Sequence, residues 1–271
     1  MSKPRLLVFT DLDGTLLDHE SYSWQAAEPA LACLKAAGIP LVINSSKTAA
    51  EIAELRTQLG NDAPYIVENG AAVVIPENYF GAGCERLVSF GANHAEVIKT
   101  LMQLRSQGYA FCGFSDMTVD ELAELTGLSC QMAVLAKQRS GTEPLLWQDT
   151  EERLQAFRGL LESAGLRMIA GGRFHHVMGT FDKADGVRWL SERFQQCCPT
   201  SRWVTVALGD GPNDRDMLAA VDCPVIVRGV RSDEIELPAG KPVLRSTQRG
   251  PAGWNECVIQ LLREHGYQGV L

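Results

Sequence analysis

The stretch Leu6-Leu7-Val8-Phe9-Thr10-Asp11-Leu12-Asp13-Gly14-Thr15 decides the reading of this chain. Leu6 to Thr10 is a short apolar run rich in β-formers, long enough for a strand buried on both faces. Two aspartates follow at once. Side chains alternate along an extended chain, so Asp11 and Asp13 can point the same way while Leu12 points into the core. Gly14 permits a sharp exit. Two adjacent carboxylates repel one another unless a proton or a cation lies between them. A hard divalent ion, most simply Mg²⁺, resolves this. Asp11 is then a candidate nucleophile, and Asp13 a candidate acid and base for the oxygens that leave and attack. The competing reading is a strand ending in an acidic turn, punctuated by Asp13-Gly14.

Outward from this point, helical and strand patterns alternate. Ala26 to Ala37 reads as a helix stopped at Gly38, Ile39 to Asn44 as a buried strand, and Thr48 to Gly60 as a helix. Tyr65 to Val67 is another strand. The rhythm resumes with Asp185 to Gln196 (helix), Trp203 to Leu208 (strand), Asp214 to Ala220 (helix) and Val225 to Val227 (strand). Such alternation predicts a parallel sheet covered on both faces. Between Cys84 and Thr180 the pattern changes to helices (Ala95 to Gln107, Glu151 to Ala164) with isolated β-like pieces such as Glu143 to Trp147. Glycines cluster at both borders: Gly81, Gly83 and Gly91, then Gly171, Gly172 and Gly179. The expected organisation is a core of residues 1–84 and 181–271 with an inserted α+β subdomain, 85–180.

Three further motifs fall at expected strand exits or helix starts. Asn44-Ser45-Ser46-Lys47-Thr48 opens a helix, where free N–H groups favour an anion. Ser45 can donate to a phosphoryl oxygen, with Ser46 beside it, and Lys47 adds charge. The bland reading is an N-cap, Thr48 with Glu51 as a capping box, and both can hold. Phe181-Asp182-Lys183 brings a lysine to a helix start. At the same strand ends it would balance two aspartates and a phosphate; elsewhere it is a solvated charge. Leu208-Gly209-Asp210-Gly211-Pro212-Asn213-Asp214 offers another carboxylate, Asp210. Asp214 can support it from behind or through water, and Asn213 can donate to a phosphate oxygen. Otherwise it is a Gly/Pro/Asn turn.

The bulk numbers exclude some classes. Of 271 residues, 45% are hydrophobic and 21% charged, and the net charge is −8, which opposes non-specific binding to nucleic acid or to an anionic membrane. No segment reaches the roughly 18 apolar residues of a membrane span. The N-terminal run is too short for a secretory signal, so a cytosolic location is expected. The eight cysteines form no CxxC pair and are expected to be reduced.

With nucleophile, proton shuttle, anion donor, cation and carboxylate ligand in this order, the chain resembles the haloacid dehalogenase superfamily of phosphatases. The resemblance implies a doubly wound parallel sheet with an inserted cap. It makes Asp11 the nucleophile, Asp13 the acid/base, Ser45 the phosphate-binding hydroxyl and Lys183 the motif lysine. It also implies Mg²⁺ held by the side chains of Asp11 and Asp210 and by the Asp13 carbonyl. The long insert and Glu68-Asn69-Gly70 resemble the Cof-like branch. Within that branch, Ser45-Ser46-Lys47-Thr48, Gly171-Gly172-Arg173-Phe174-His175, Gly209 to Asp214 and Thr247-Gln248-Arg249-Gly250-Pro251 resemble the mannosyl-3-phosphoglycerate phosphatases. This implies a small phosphorylated sugar or glycosyl-phosphoglycerate as substrate. Its carboxylate wants a guanidinium. Arg173 and His175 are the expected cap contacts, with Arg139, Gln248 and Arg249 as further candidates and His176 as structural or solvated. Rival readings are a phosphotransferase and a non-catalytic sensor of a phosphorylated metabolite.

Overall fold

The computed structural model describes residues 3–81, 83–171 and 173–271. Gly172, expected at a cap border, lies outside them. The chain begins with β1 (Arg5–Thr10), α1 (Glu28–Ala36), β2 (Leu41–Ile43) and α2 (Ala49–Leu59). It continues through β3 (Tyr65–Val67), β4 (Ala72–Ile75) and β5 (Arg86–Ser89). The insert contains α3 (His94–Ser106), β6 (Phe111–Gly113), α4 (Val119–Thr126), α5 (Cys130–Ala136), β7 (Thr142–Trp147), α6 (Glu151–Ser163), β8 (Leu166–Ala170) and β9 (His175–Gly179). The chain then returns through α7 (Lys183–Cys197), β10 (Trp203–Gly209), α8 (Arg215–Ala219), β11 (Cys223–Arg228), β12 (Leu244–Arg249) and α9 (Gly250–Glu264).

Five strands form a wholly parallel sheet in the order β12-β11-β10-β1-β2. Strand alternation decides its two faces. Leu6 and Val8 pack with Leu34 of α1, Ile52 of α2 and Trp254 of α9, whereas Leu7 and Phe9 pack with Leu190 and Phe194 of α7 and Met217 of α8. The sheet is therefore covered on both faces, as expected. α2 starts at the predicted capping box of Thr48 and Glu51 and stops at Gly60, which takes a left-handed conformation.

The insert is a four-stranded antiparallel sheet, β6-β7-β9-β8. α3 and α6 cover one of its faces, packing Leu101 and Phe157 against Leu145 and Val177. β3, β4 and β5 make a separate antiparallel sheet whose Val73 and Ile75 pack into the parallel core. The expected border at 84/85 cuts the β4–β5 hairpin, in which Ala72 faces Ser89 and Ile75 faces Arg86. Ladder hydrogen bonds hold residues 86–89 to the core, so the chain leaves it only after Ser89. No disulfide joins the eight cysteines.

Candidate active site

Parallel strands deliver their carboxyl ends to one edge of the sheet, and ligands of such sheets bind there. Asp11 stands at the exit of β1, its N–H bonded to the Leu208 carbonyl at 2.9 Å. Trp254 of α9 fixes this exit from behind: its indole N–H donates to Thr10 Oγ1 at 3.0 Å, and that hydroxyl donates to the Asp11 carbonyl at 2.7 Å. Asp210 and Asp214 follow β10. One oxygen from each of Asp11, Asp210 and Asp214 lies within 4.8 Å of the others.

Lys183 is the first residue of α7, whose N-terminus Asp182 caps. Its buried ammonium reaches Asp11 Oδ1 at 2.5 Å and Asp214 Oδ1 at 2.6 Å. Burial pushes this lysine's pKa down, but Asp11 and Asp214 outweigh it and hold the pKa above its ordinary value. Asp214 Oδ2 accepts the N–H groups of Asp210 (3.2 Å) and Gly211 (3.1 Å), so Asp214 positions both the lysine and the Asp210 loop. Thr15 Oγ1 donates to Asp210 Oδ1 at 2.9 Å. A Cβ at Gly14 or at Gly229 would lie 2.4 Å from Asp210 Oδ2, so both positions must stay bare for the carboxylate to fit.

One lysine does not neutralise three carboxylates. Burial, then repulsion from Asp214, raises Asp11 well above the usual carboxylate range, and the same two causes push Asp210 up to about 6. All the donors are oxygens. A surplus of negative charge on a hard donor set fits a divalent cation such as Mg²⁺. Both Asp214 oxygens are already engaged, so Asp11 and Asp210 are the side chains best placed to hold it. The Asp13 side chain turns aside instead: its Oδ2 pairs with Lys47 Nζ at 3.1 Å, and its Oδ1 is buried without a partner.

A cavity of about 470 Å³ lies over these groups, between the sheet edge and the insert. Asp11, Asp13, Ser46, Asp210, Asn213 and Arg249 line it. Ser45 is buried beneath the loop, where its hydroxyl accepts the Lys47 N–H at 3.3 Å.

The cap assignments need correction. Arg173 is exposed outside the cavity wall and donates to the Leu125 carbonyl. Arg139 is engaged by main-chain carbonyls of Ser46 (2.8 Å) and Ala136 (3.0 Å), which makes it a brace between insert and core. Gln248 is exposed and does not line the cavity. His175 does not line it either, but His176 does. Neighbouring strand residues face opposite ways: His175 shares the face of Val177 under α3 and α6, while His176 shares the face of Ile169 toward the site. His19, Asn69 and Arg228 also line the cavity and were not read from sequence. Only Asn69 had a signal, the Glu68-Asn69-Gly70 string.

Glu68 was unassigned as well. It is fully buried, and its carboxylate accepts hydrogen bonds from both the N–H and hydroxyl of Ser140, from the Gly141 N–H, and from the N–H and hydroxyl of Thr142, at 2.6–3.1 Å. Its own N–H donates to the Lys47 carbonyl, and that of Asn69 to the Ser45 carbonyl. The segment entering β7 is thereby tied to the Ser45–Lys47 loop.

Residues 8–122 match the model of the haloacid dehalogenase-like hydrolase family. Among solved structures, BT1666 from Bacteroides thetaiotaomicron, described as a phosphatase of that superfamily, is 20% identical with a TM-score of 0.67, covering 98% of this chain and 97% of its own. The subclass IIB sugar phosphatase BT4131 is 19% identical with a TM-score of 0.63, covering 97% and 99%. The sucrose-phosphatase from Synechocystis sp. PCC6803, solved with sucrose and phosphate, is 14% identical with a TM-score of 0.63, covering 97% and 98%. At these identities the likeness is one of fold. The family match is confined to residues 8–122, and along nearly the whole chain the fold is similar to those of these phosphatases.

Proposed function

We propose that the chain hydrolyses phosphate monoesters through a phosphoryl group carried on Asp11. The observation that carries this is the buried Lys183 bridging Asp11 and Asp214 beside Asp210, at the strand exits below a cavity. Asp11 attacks phosphorus as the ester P–O bond breaks, and Asp13 gives a proton to the leaving oxygen. Water, losing a proton to Asp13, then attacks phosphorus and releases phosphate from Asp11. Lys183 balances charge on Asp11. Ser45, Ser46 and Asn213 offer donors to the phosphoryl oxygens, and Lys47 holds Asp13 in place. Mg²⁺, held by Asp11, Asp210 and the Asp13 carbonyl, would supply charge neutralisation for the nucleophile and phosphate together. The insert, residues 85–180 in the sequence reading with its entry shifted by the β5 pairing, acts as the cap that excludes bulk water.

For the substrate we favour mannosyl-3-phosphoglycerate, yielding mannosylglycerate and phosphate. The four motif strings support this, and Arg249 on the cavity wall is a guanidinium available to the carboxylate. Other sugar phosphates are the second reading, favoured by the sugar substrates named for two structural relatives. Phosphate release from a panel of glycosyl-3-phosphoglycerates and hexose phosphates, with and without Mg²⁺, separates the two by kcat/KM. Asp11→Asn is expected to abolish turnover with the fold intact. Substantial activity in that variant overturns the nucleophile assignment.

A further inference from the structure

His176 is a cap side chain that lines the cavity with a buried nitrogen left unbonded. It sits on β9 opposite Ile169 of β8, and both line the cavity facing the carboxylates. Its Nδ1 is buried and has no hydrogen-bond partner among the described residues. Its Nε2 makes no hydrogen bond to the described residues either, and the side chain lines the cavity. Gly171 leaves room at this edge of the ring. A Cβ at that position would come within 3.0 Å of Nε2, so any larger residue would crowd the edge that glycine leaves bare. An orphaned buried N–H is rarer and costlier than an orphaned acceptor, which assigns the ring proton to Nε2. A second proton is disfavoured. Burial, then the charge of Arg139, pushes the imidazole down to about 3, so it stays neutral. A neutral ring with its single N–H facing a phosphate-ester cavity suits an uncharged oxygen rather than an anion.

Resting on the phosphatase reading, we propose that His176 contacts the organic part of the substrate, donating from Nε2 to a hydroxyl or ring oxygen, and so favours sugar-bearing esters. A polyol or pyranose offers such acceptors above the phosphate; an aryl or simple alkyl ester does not.

The test compares kcat/KM of the full-length Mg²⁺-loaded enzyme for its best glycosyl substrate and for p-nitrophenyl phosphate. His176→Leu is expected to lower the ratio of the two about 2- to 13-fold, the worth of one neutral hydrogen bond. His176→Gln, whose amide nitrogen can occupy the Nε2 position, is expected to recover most of it. A ratio unchanged by His176→Leu, or equal loss on both substrates, overturns the proposal. Should His176→Leu fail to fold, long-range ¹H–¹⁵N spectra of the wild type decide instead. They are expected to show a neutral ring protonated at Nε2 at pH 7, with Nε2 shifting on addition of mannosylglycerate. A ring protonated at Nδ1, or an Nε2 indifferent to that product, overturns the proposal. A wild-type enzyme that releases phosphate from no ester overturns the phosphatase reading itself, and the role of His176 with it.

Discussion

At the scale of single residues, the site is governed by charge that has nowhere else to go. Lys183 is buried between Asp11 and Asp214, so removing its ammonium leaves two carboxylates facing one another away from water. Breaking a buried pair by deleting one partner costs about 3–5 kcal/mol, because the remaining charge is uncompensated. Lys183→Met is therefore expected to lower the melting temperature of the Mg²⁺-free protein and to abolish turnover in its presence. Wild-type stability in differential scanning calorimetry would contradict the bridging role. Gly229 makes a subtler case. Its conformation suits other residues, but a methyl there would lie 2.4 Å from Asp210 Oδ2. Gly229→Ala is expected to displace that carboxylate and to raise the Mg²⁺ concentration for half-maximal activity at least tenfold, with the fold retained. An unaltered Mg²⁺ dependence would mean that Asp210 is not a ligand.

At the scale of elements, the segment between β3 and β4 and the start of β7 act as one piece because Glu68 joins them. Five donors converge on its carboxylate. Burial pushes the Glu68 pKa up, but Arg139 and these hydrogen bonds outweigh it and hold it below the usual value. The unfolded chain then takes up the proton more readily than the folded one. The contribution is complete above the ordinary glutamate value of about 4.3 and is lost as pH falls through the lower folded value. In Glu68→Gln an amide N–H meets donors. That variant is expected to lose about 2–4 kcal/mol at pH 7 and to show less further loss below pH 4 than the wild type, read by urea denaturation across pH. Parallel pH curves would remove Glu68 as the cause. This clamp was not legible in the sequence, because its partners lie 72 to 74 positions away. What was legible is local. The capping box of α2, the strand ending at Thr10 and the aspartates after β1 and β10 follow from short-range alternation and turn chemistry. His175 and His176 show where that reading fails. Both sit on one strand, and only the covering of one sheet face by α3 and α6 decides which of them faces the site. Arg173 and Arg139 fail for a related reason: a guanidinium looks available to a ligand until main-chain carbonyls of Leu125, Ser46 and Ala136 are folded against it.

At the scale of the whole molecule, the expected cation links stability to activity. Among the described residues, no helix is long and apolar enough to cross a membrane. The chain carries a net charge of −8, and the site packs three carboxylates around one lysine. Without a cation, Asp11 and Asp210 lie together at a cost that burial increases. An ion that binds only the folded state adds about 2.7 kcal/mol at one hundred times its dissociation constant. For a chain of this size that corresponds to a rise of about 5–10 °C in melting temperature. Mg²⁺ is expected to give such a rise, EDTA to reverse it, and Na⁺ at equal ionic strength not to reproduce it. Asp210→Asn separates site occupancy from general screening. Removing one of the crowded carboxylates relieves repulsion, so this variant without metal is expected to melt no lower than the metal-free wild type, while losing most of the Mg²⁺-induced rise. An equal rise in wild type and Asp210→Asn would locate the stabilising ion elsewhere on the acidic surface. It would also leave the carboxylates after β1 and β10 without the cation that their crowding calls for.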